Sequence, residues 1–136
     1  MKSIVVDNSV VIGWLLKEEN AKKSADILRL ALGNEFIVPS VWSYEIINVL
    51  WVAQKRGHLS VAETPQALKE LNKLPIKIHD LALEVISTQV LDISREFRLT
   101  IYDASYVFLA KSLKIPIASF DQDILRACQK MGIKAL

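Results

Sequence analysis

The chain has 136 residues and is most simply one domain, residues 1–136, that buries roughly two-thirds of its unfolded surface. Hydrophobic residues make up 51% of it, yet the longest apolar run, Val10–Leu16, is far shorter than the ~20 residues that span a bilayer, so no membrane segment is expected. A net charge of +2 is too small to indicate nucleic-acid binding by itself, and the single cysteine, Cys128, favours a reducing, cytoplasmic location.

Short apolar runs alternate along the chain with longer segments of helical period. Strands are predicted at Ser3–Val6, Phe36–Val38, Ile76–Ile78 and Pro116–Ser119, and Ile133 marks a fifth. Repeated strand–helix alternation predicts an α/β fold, with a short parallel sheet of about four to five strands flanked by helices on both faces. We find no repeat and no Pro/Gly-rich linker, so no domain boundary is expected.

Helix boundaries are also indicated by the sequence. The apolar helix that begins near residue 41 is expected to stop at Gly57. Ser60–Glu63 fits a capping box, although Thr64-Pro65 offers a competing start. The last helix is predicted from about Asp121 to Met131.

Four carboxylates stand beside these core-forming segments. Asp7 and Asp121 directly follow apolar strands, Asp103 opens an apolar helix, and Glu45 is the one charged residue between positions 41 and 52. Charge in such surroundings is costly unless it is solvated, paired or bound to metal. Three of the four acids stand where a strand gives way to a helix or where a helix begins, which is where open α/β sheets build their ligand crevice. The arrangement indicates an acidic metal site.

Each acid also has a simpler structural explanation. Asp7, Asp103 and Asp121 fit helix N-caps, where a carboxylate oxygen accepts a backbone N–H for ~1 kcal/mol. Glu45 fits a carboxylate at a helix boundary that faces water or pairs with a lysine. Asn48, one turn later, would share its face and could hold its orientation. The ordered set therefore carries more weight than any single member.

The segments around the acids resemble the PIN-domain nucleases. Val5-Val6-Asp7-Asn8-Ser9 resembles the opening strand of that family, and the segment from Pro39 to Leu50 resembles its second motif, a proline followed by a helix with Glu and Asn. Tyr102-Asp103-Ala104-Ser105-Tyr106 and Ser119-Phe120-Asp121 resemble the third and fourth motifs. The motifs occur in the family's order, and size and layout are most similar to the VapC-type toxins of prokaryotic toxin–antitoxin pairs.

The resemblance implies metal-dependent endonucleolytic hydrolysis of RNA at the four carboxylates. Asp7 and Asp103 would be the principal ligands of Mg²⁺ or Mn²⁺, and Glu45 and Asp121 would complete the site directly or through water. Four ionised acids within about 5 Å would repel by roughly 3 kcal/mol per pair at an effective dielectric of ~20. A hard cation that prefers carboxylate oxygen resolves that conflict.

Several neighbouring residues are expected to support the four acids. Ser9 and Ser119 would be hydroxyls that orient the carboxylates, with Ser119 standing where many family members have Thr, and Asn48 would support Glu45. Asp123 points about 200° away from Asp121 on a helix, so we interpret it as a first-turn charge that favours the helix dipole.

Partners and alternatives complete the sequence prediction. The resemblance implies a homodimer silenced by a small cognate antitoxin. Trp51 adds to an apolar surface larger than one helix face needs, although ordinary core packing explains Trp51 equally well. One alternative is a PIN-like RNA-binding or scaffold protein that has lost catalysis. The other is an Mg²⁺-dependent phosphoacceptor signalling domain, which would need a second acid where Asn8 stands and a lysine after a late strand, where Ser119-Phe120 stands.

Overall fold

The computed structural model describes residues 2–30 and 33–136. Four parallel strands form one sheet in the order β3-β2-β1-β4, with β1 at Lys2–Val6, β2 at Asn34–Pro39, β3 at Ile76–His79 and β4 at Ile117–Ala118. The connecting segments are helical: α1 (Asn8–Leu15), α2 (Ala21–Arg29), α3 (Trp42–Lys55), α4 (Thr64–Leu71), α5 (Leu83–Val85), a π-helical turn (Ile86–Val90), α6 (Leu91–Phe97), α7 (Ile101–Leu113) and α8 (Gln122–Met131).

The predicted α/β class and the four predicted strand positions are confirmed. The fifth element is smaller than predicted, because the chain beyond α8 pairs with β4 only through an isolated bridge between Ile117 and Ala135. Ile133 itself does not form a strand. Its N–H instead donates to the carbonyl of Cys128, which closes the end of α8.

Both faces of the sheet are covered by helices. Ile4, Val5 and Val6 are consecutive in β1 and all buried. Successive side chains of a strand point to opposite faces, so burial of three in a row requires a helical layer on each side. Helix α7 contacts β1, β2 and β4, and its side chains contribute several of the most deeply buried residues of the core.

The helix boundaries agree with the sequence, with one refinement. Helix α3 stops before Gly57, which has a φ of +77°. The capping-box hydrogen bonds form between Ser60 and Glu63, with distances of 2.9 and 3.0 Å, but they close the turn before α4, which itself begins at Thr64 with Pro65 in its first turn. None of the helices in the described residues is both long and apolar enough to cross a membrane.

Parallel pairing brings the ends of β1 and β4 together. The register pairs Val6 with Ala118, and the N–H of Asp7 donates to the carbonyl of Ala118 at 2.9 Å. Asp7 therefore leaves β1 beside Ser119, which follows β4. All four parallel strands point their carboxyl ends to this edge of the sheet, so the loops that follow them converge there.

Candidate active site

Asp7 is the most deeply buried of the four acids, with 6% of its surface exposed. Its Oδ2 accepts hydrogen bonds from the Ser9 hydroxyl at 2.7 Å and the Ser119 hydroxyl at 2.8 Å. Burial raises the pKa of Asp7, while these hydroxyl bonds oppose the rise. Both hydroxyls reach the same oxygen, which leaves Oδ1 clear of them. Asp7 stands at the N-cap position of α1, but its side chain makes no capping hydrogen bond.

The two serines also tie the neighbouring backbone to this carboxylate. The Ser9 oxygen accepts from the N–H of Phe120 at 2.9 Å, and the Ser119 oxygen accepts from the N–H of Asp121 at 3.0 Å. Each hydroxyl thus donates to Asp7 and accepts from the loop that follows β4. This fixes the rotamers of both serines and supports the orienting role predicted for them.

Glu45 lies in the first turn of α3 and is held from across the molecule. Its Oε1 accepts a hydrogen bond from the phenol of Tyr106, a fully buried residue of α7, at 2.8 Å. Burial first, and then the negative charge of Asp7, raise the pKa of Glu45. The phenol pKa of Tyr106 is also raised, chiefly by burial, so the hydroxyl stays protonated and acts as a donor.

Tyr106 was not among the predicted site residues, and Asn48 was. A tyrosine at helical spacing in an apolar stretch is indistinguishable from an ordinary core residue, although its place one turn after Asp103 is a signal that could have identified it. Asn48 is exposed and makes no hydrogen bond to Glu45 in the part of the chain described. It lies instead with Tyr44 and Trp51 on the outer surface of α3.

Asp103 lies in the first turn of α7 rather than at its cap. Thr100 is the N-cap, and its side-chain oxygen accepts from the N–H of Asp103 at 3.1 Å. The pKa of Asp103 is raised to about 6, first by burial and then by the negative charges of Asp7, Asp121 and Glu45. Because all three other acids act on it, Asp103 faces the same region of the molecule as they do.

Asp121 is a helix cap, as the simpler explanation predicts. Its Oδ1 accepts from the N–H groups of Asp123 and Ile124 at 2.9 and 3.0 Å, at the start of α8. One carboxylate oxygen is therefore committed to the helix, and Oδ2 is left for other contacts. Asp123 is exposed and pairs with Arg126 at 2.9 Å, which fits the first-turn charge predicted for it.

The cluster has no cation of its own within the described residues. None of the four carboxylates has a lysine, arginine or histidine nitrogen within 4.0 Å there. Acids that raise one another's pKa without a neutralising side chain are the donor set that suits a hard divalent cation. The one cysteine, Cys128, is buried in the core away from the four acids, so the cluster offers no thiolate to a soft metal.

The spacing of the acids limits how such a cation would be held. Across residues 2–30 and 33–136, no three Asp, Glu, His or Cys side chains group closely enough to hold one metal ion together. Mg²⁺ in proteins usually keeps several waters and binds one or two carboxylates directly. The residues therefore fit a hydrated cation held by one or two acids, and do not fit direct ligation by all four.

Comparison with known proteins decides the family. The PIN domain family matches residues 4–130, almost the whole chain. The chain belongs to the PIN-domain family. The fold agrees, because the crystal structure of PAE2754 from Pyrobaculum aerophilum superposes with a TM-score of 0.70 over 99% of this chain and 83% of that one, at 21% sequence identity.

Two relatives of this PIN domain are both named ribonuclease VapC3. Ribonuclease VapC3 of Mycobacterium tuberculosis is 30% identical over 126 residues, which cover 93% of this chain and 88% of that protein. Ribonuclease VapC3 of Pyrobaculum aerophilum is 28% identical over 123 residues, which cover 89% of this chain and 91% of that protein. The predicted likeness to VapC-type PIN proteins is confirmed.

Proposed function

We propose that this PIN domain, residues 1–136, is a metal-dependent endoribonuclease and the toxin of a type II toxin–antitoxin pair. One observation carries the proposal: Asp103 is partly buried near Asp7, Asp121 and Glu45, and burial first, and then their negative charges, raise its pKa to about 6. VapC relatives named ribonuclease, matched over nearly the whole chain, supply the substrate class.

In this proposal Asp7 and Asp103 bind Mg²⁺ or Mn²⁺, while Glu45 and Asp121 contact its water shell. When bound, the cation would lower the pKa of a water and neutralise charge on the scissile phosphate. The serine hydroxyls hold Oδ2 of Asp7 and so aim the other oxygen.

In this proposal Glu45, rather than Asp121, takes the proton of the attacking water. Tyr106 holds its Oε1 and leaves Oε2 to accept that proton. Burial and the charge of Asp7 raise the pKa of Glu45, which brings it closer to neutral pH. A base whose pKa lies nearer the working pH is the more effective one.

We also propose a homodimer that a cognate antitoxin silences in the cytoplasm. Exposed apolar residues follow one line of α3 at Tyr44, Ile47 and Trp51, with 82%, 47% and 52% of their surfaces accessible. An apolar stripe on one helix matches a two-fold interface, in which the same surface of both copies meets itself.

The central experiment is RNA cleavage by purified protein with and without Mg²⁺ or Mn²⁺. Asp7→Asn and Asp103→Asn each keep the side-chain shape and remove the charge of a proposed ligand. We expect either change to lower cleavage by roughly 100-fold or more, because loss of a residue that only supports a metal ligand already costs about 10–100-fold. Asp123→Asn is the matched control and should cleave like the native chain, because Asp123 is exposed and pairs with Arg126.

An RNA-binding measurement and a phosphate-incorporation measurement on the same proteins separate the alternatives. A silent scaffold would bind RNA but show no metal-dependent cleavage. A phosphoacceptor domain would incorporate phosphate from a small-molecule phosphodonor in Mg²⁺. Full activity of both Asp7→Asn and Asp103→Asn would refute the proposed site.

A further inference from the structure

A small recess opens beside the carboxylates, between the end of β2 and the first turn of α7. Its volume is about 140 Å³. The walls are aliphatic and partly buried, from Val41 ahead of α3, Leu81 after β3, Ile86 of the π-helical turn and Ile101 of α7. Four separate segments of the chain thus meet around one apolar space.

Residues that line the recess lie close along α3 and α7 to residues of the acidic site. Val41 lies one helical turn before Glu45, whose N–H donates to the Val41 carbonyl at 3.1 Å. Tyr102 lines the recess and directly precedes Asp103. Tyr106, one turn further along α7, holds Glu45. A molecule that lies across the carboxylates would therefore have the recess next to it.

The size of the recess restricts what can enter it. A water occupies about 30 Å³ of liquid, so this volume corresponds to roughly five waters. Drug-sized ligands occupy pockets of about 300 Å³ or more, so the volume of this recess matches a single flat ring system better than a whole nucleotide.

The lining is suited to a heteroaromatic ring. Tyr102, the second residue of the core-forming helix α7, is a large aromatic residue that lines the recess with 56% of its surface exposed. The Ser105 hydroxyl donates to the Tyr102 carbonyl at 2.5 Å, so its oxygen can still accept a hydrogen bond, and the exposed Ser40 adds a second hydroxyl. Proteins that bind single-stranded RNA stack unpaired bases on exposed aromatic rings and contact their edges with such groups.

We propose that this recess binds one unpaired nucleobase adjacent to the scissile phosphate, stacked on Tyr102. The proposal rests on the proposed function, because it takes single-stranded RNA as the substrate of the neighbouring carboxylates. It assigns to Tyr102 the positioning of the substrate rather than a part in the chemistry. It also makes the substrate single-stranded at this point, because a base paired in a duplex cannot turn into the recess.

The test is a double-mutant cycle between the protein and the RNA. Short single-stranded RNAs, chosen for cleavage or, where none is cut, for affinity, are prepared with one base at a time removed, and equilibrium binding is measured in EDTA, which removes the cation that cleavage is proposed to need. We expect loss of one base next to the cut to weaken binding to the native chain roughly tenfold or more, as for a lost base–aromatic stack. Tyr102→Ala should bind intact RNA about as weakly, and removal of that base should cost it nothing further.

Two variants serve as controls. Tyr102→Phe keeps the ring and should bind like the native chain. Val61→Ala removes an exposed apolar side chain away from the recess and should also leave binding unchanged. Circular dichroism and thermal unfolding would show that Tyr102→Ala is folded, as its exposure predicts.

The outcomes separate the recess from the catalytic proposal. The base-binding assignment would be overturned if the losses of binding from Tyr102→Ala and from base removal were additive, or if Tyr102→Ala bound RNA as well as the native chain. The recess would then be assigned to a side chain of a protein partner. Cleavage of the same RNAs is measured in Mg²⁺. If the RNAs are cleaved but the two binding losses are additive, the base-binding proposal alone is refuted. If the binding losses are coupled but no RNA is ever cleaved, the nuclease proposal alone is refuted.

Discussion

Asp7 and Glu45 are held in different ways, although both acids lie at the same edge of the sheet. Asp7 accepts one hydrogen bond from a serine hydroxyl of α1 and one from a serine hydroxyl of the loop after β4. Glu45 accepts one hydrogen bond from a phenol in the middle of α7. Loss of one serine bond leaves the other in place for Asp7, whereas Tyr106 is the one side chain among those described that bonds Glu45. Orientation of Glu45 therefore depends on a single residue.

Replacement of that phenol gives the most specific test of a single residue. Tyr106→Phe removes the hydrogen bond but keeps the ring in the core, so we expect unfolding free energy to fall by only about 1 kcal/mol. Cleavage should fall by about 10–100-fold, as for other outer residues of metal sites. The phenol lowers the pKa of Glu45, so without it the acid limb of the pH–rate profile should move to higher pH.

Tyr44→Phe is the matched control for this substitution. It removes a phenol hydroxyl from the residue before Glu45, but that side chain is 82% exposed and keeps the ring that belongs to the proposed dimer interface, so activity and pH profile should not change. An unchanged acid limb in Tyr106→Phe would show that the phenol packs in the core without setting the behaviour of Glu45.

Helix α3 has apolar residues on two faces, of which one is buried and the other exposed. Trp42, Ile46 and Leu50 are buried in the core, as the apolar pattern predicts. Tyr44, Ile47 and Trp51 lie on the opposite side and are exposed, with the Lys55 ammonium 5.3 Å from the Trp51 ring. The outer face is too apolar for a helix that meets only water, which is why we assign it to contact with a second copy.

The stripe predicts the oligomeric state. The native chain should be a dimer at micromolar concentration by light scattering, and Ile47→Glu should be monomeric because it places two charges in a two-fold interface. Val61→Glu adds the same charge at another exposed apolar position and should remain dimeric. A monomeric native chain, or a dimeric Ile47→Glu, would contradict this assignment.

Strands and helix ends could be predicted because their signals are local. The run Ile4-Val5-Val6 is apolar on both faces, and Gly57 ends α3 by its own conformational freedom. The contacts of Glu45 could not be predicted in the same way. Asn48 is its neighbour by helix spacing, but burial against α7 selects Tyr106, which is 61 positions away in sequence. Packing between distant parts of the chain therefore determines which of the two residues bonds Glu45.

The sequence identified the four acids as a set, but it did not predict the hydrogen bonds that each one makes. Asp7, Asp103 and Asp121 all follow the same pattern of an acid at a helix start. In the structure Asp121 is the one of these three acids that caps its helix. Thr100 caps α7 in place of Asp103, and Asp7 accepts hydrogen bonds from serine hydroxyls instead of capping α1. Which oxygen receives which donor depends on the register of β1 with β4, and the sequence does not state that register.

At the scale of the whole molecule, the metal-free protein carries an electrostatic cost at this edge. The pKa of Asp103 is about 6 in the folded chain and 3.8 in its reference state, so the folded chain binds the proton more tightly. Stability from this group is therefore greatest at low pH and is lost as the pH rises from about 4 through 6. A divalent cation favours the ionised form and should reverse the loss.

This linkage predicts how Mg²⁺ changes thermal stability. Saturating Mg²⁺ should raise the Tm more at pH 7.5 than at pH 5, where protonated Asp103 competes with the cation. In EDTA, Asp103→Asn should be more stable than the native chain at pH 7.5, since it removes the repelled charge. An equal Mg²⁺ effect at both pH values in differential scanning calorimetry would argue against the site.

The most direct measurement of the central claim is the position of Mn²⁺ by anomalous X-ray scattering from crystals of the metal-loaded protein. The account predicts a peak at coordination distance, about 2 Å, from carboxylate oxygens of Asp7 and Asp103, with waters between the ion and Glu45 or Asp121. A peak elsewhere on the molecule, or none at millimolar Mn²⁺, would contradict it.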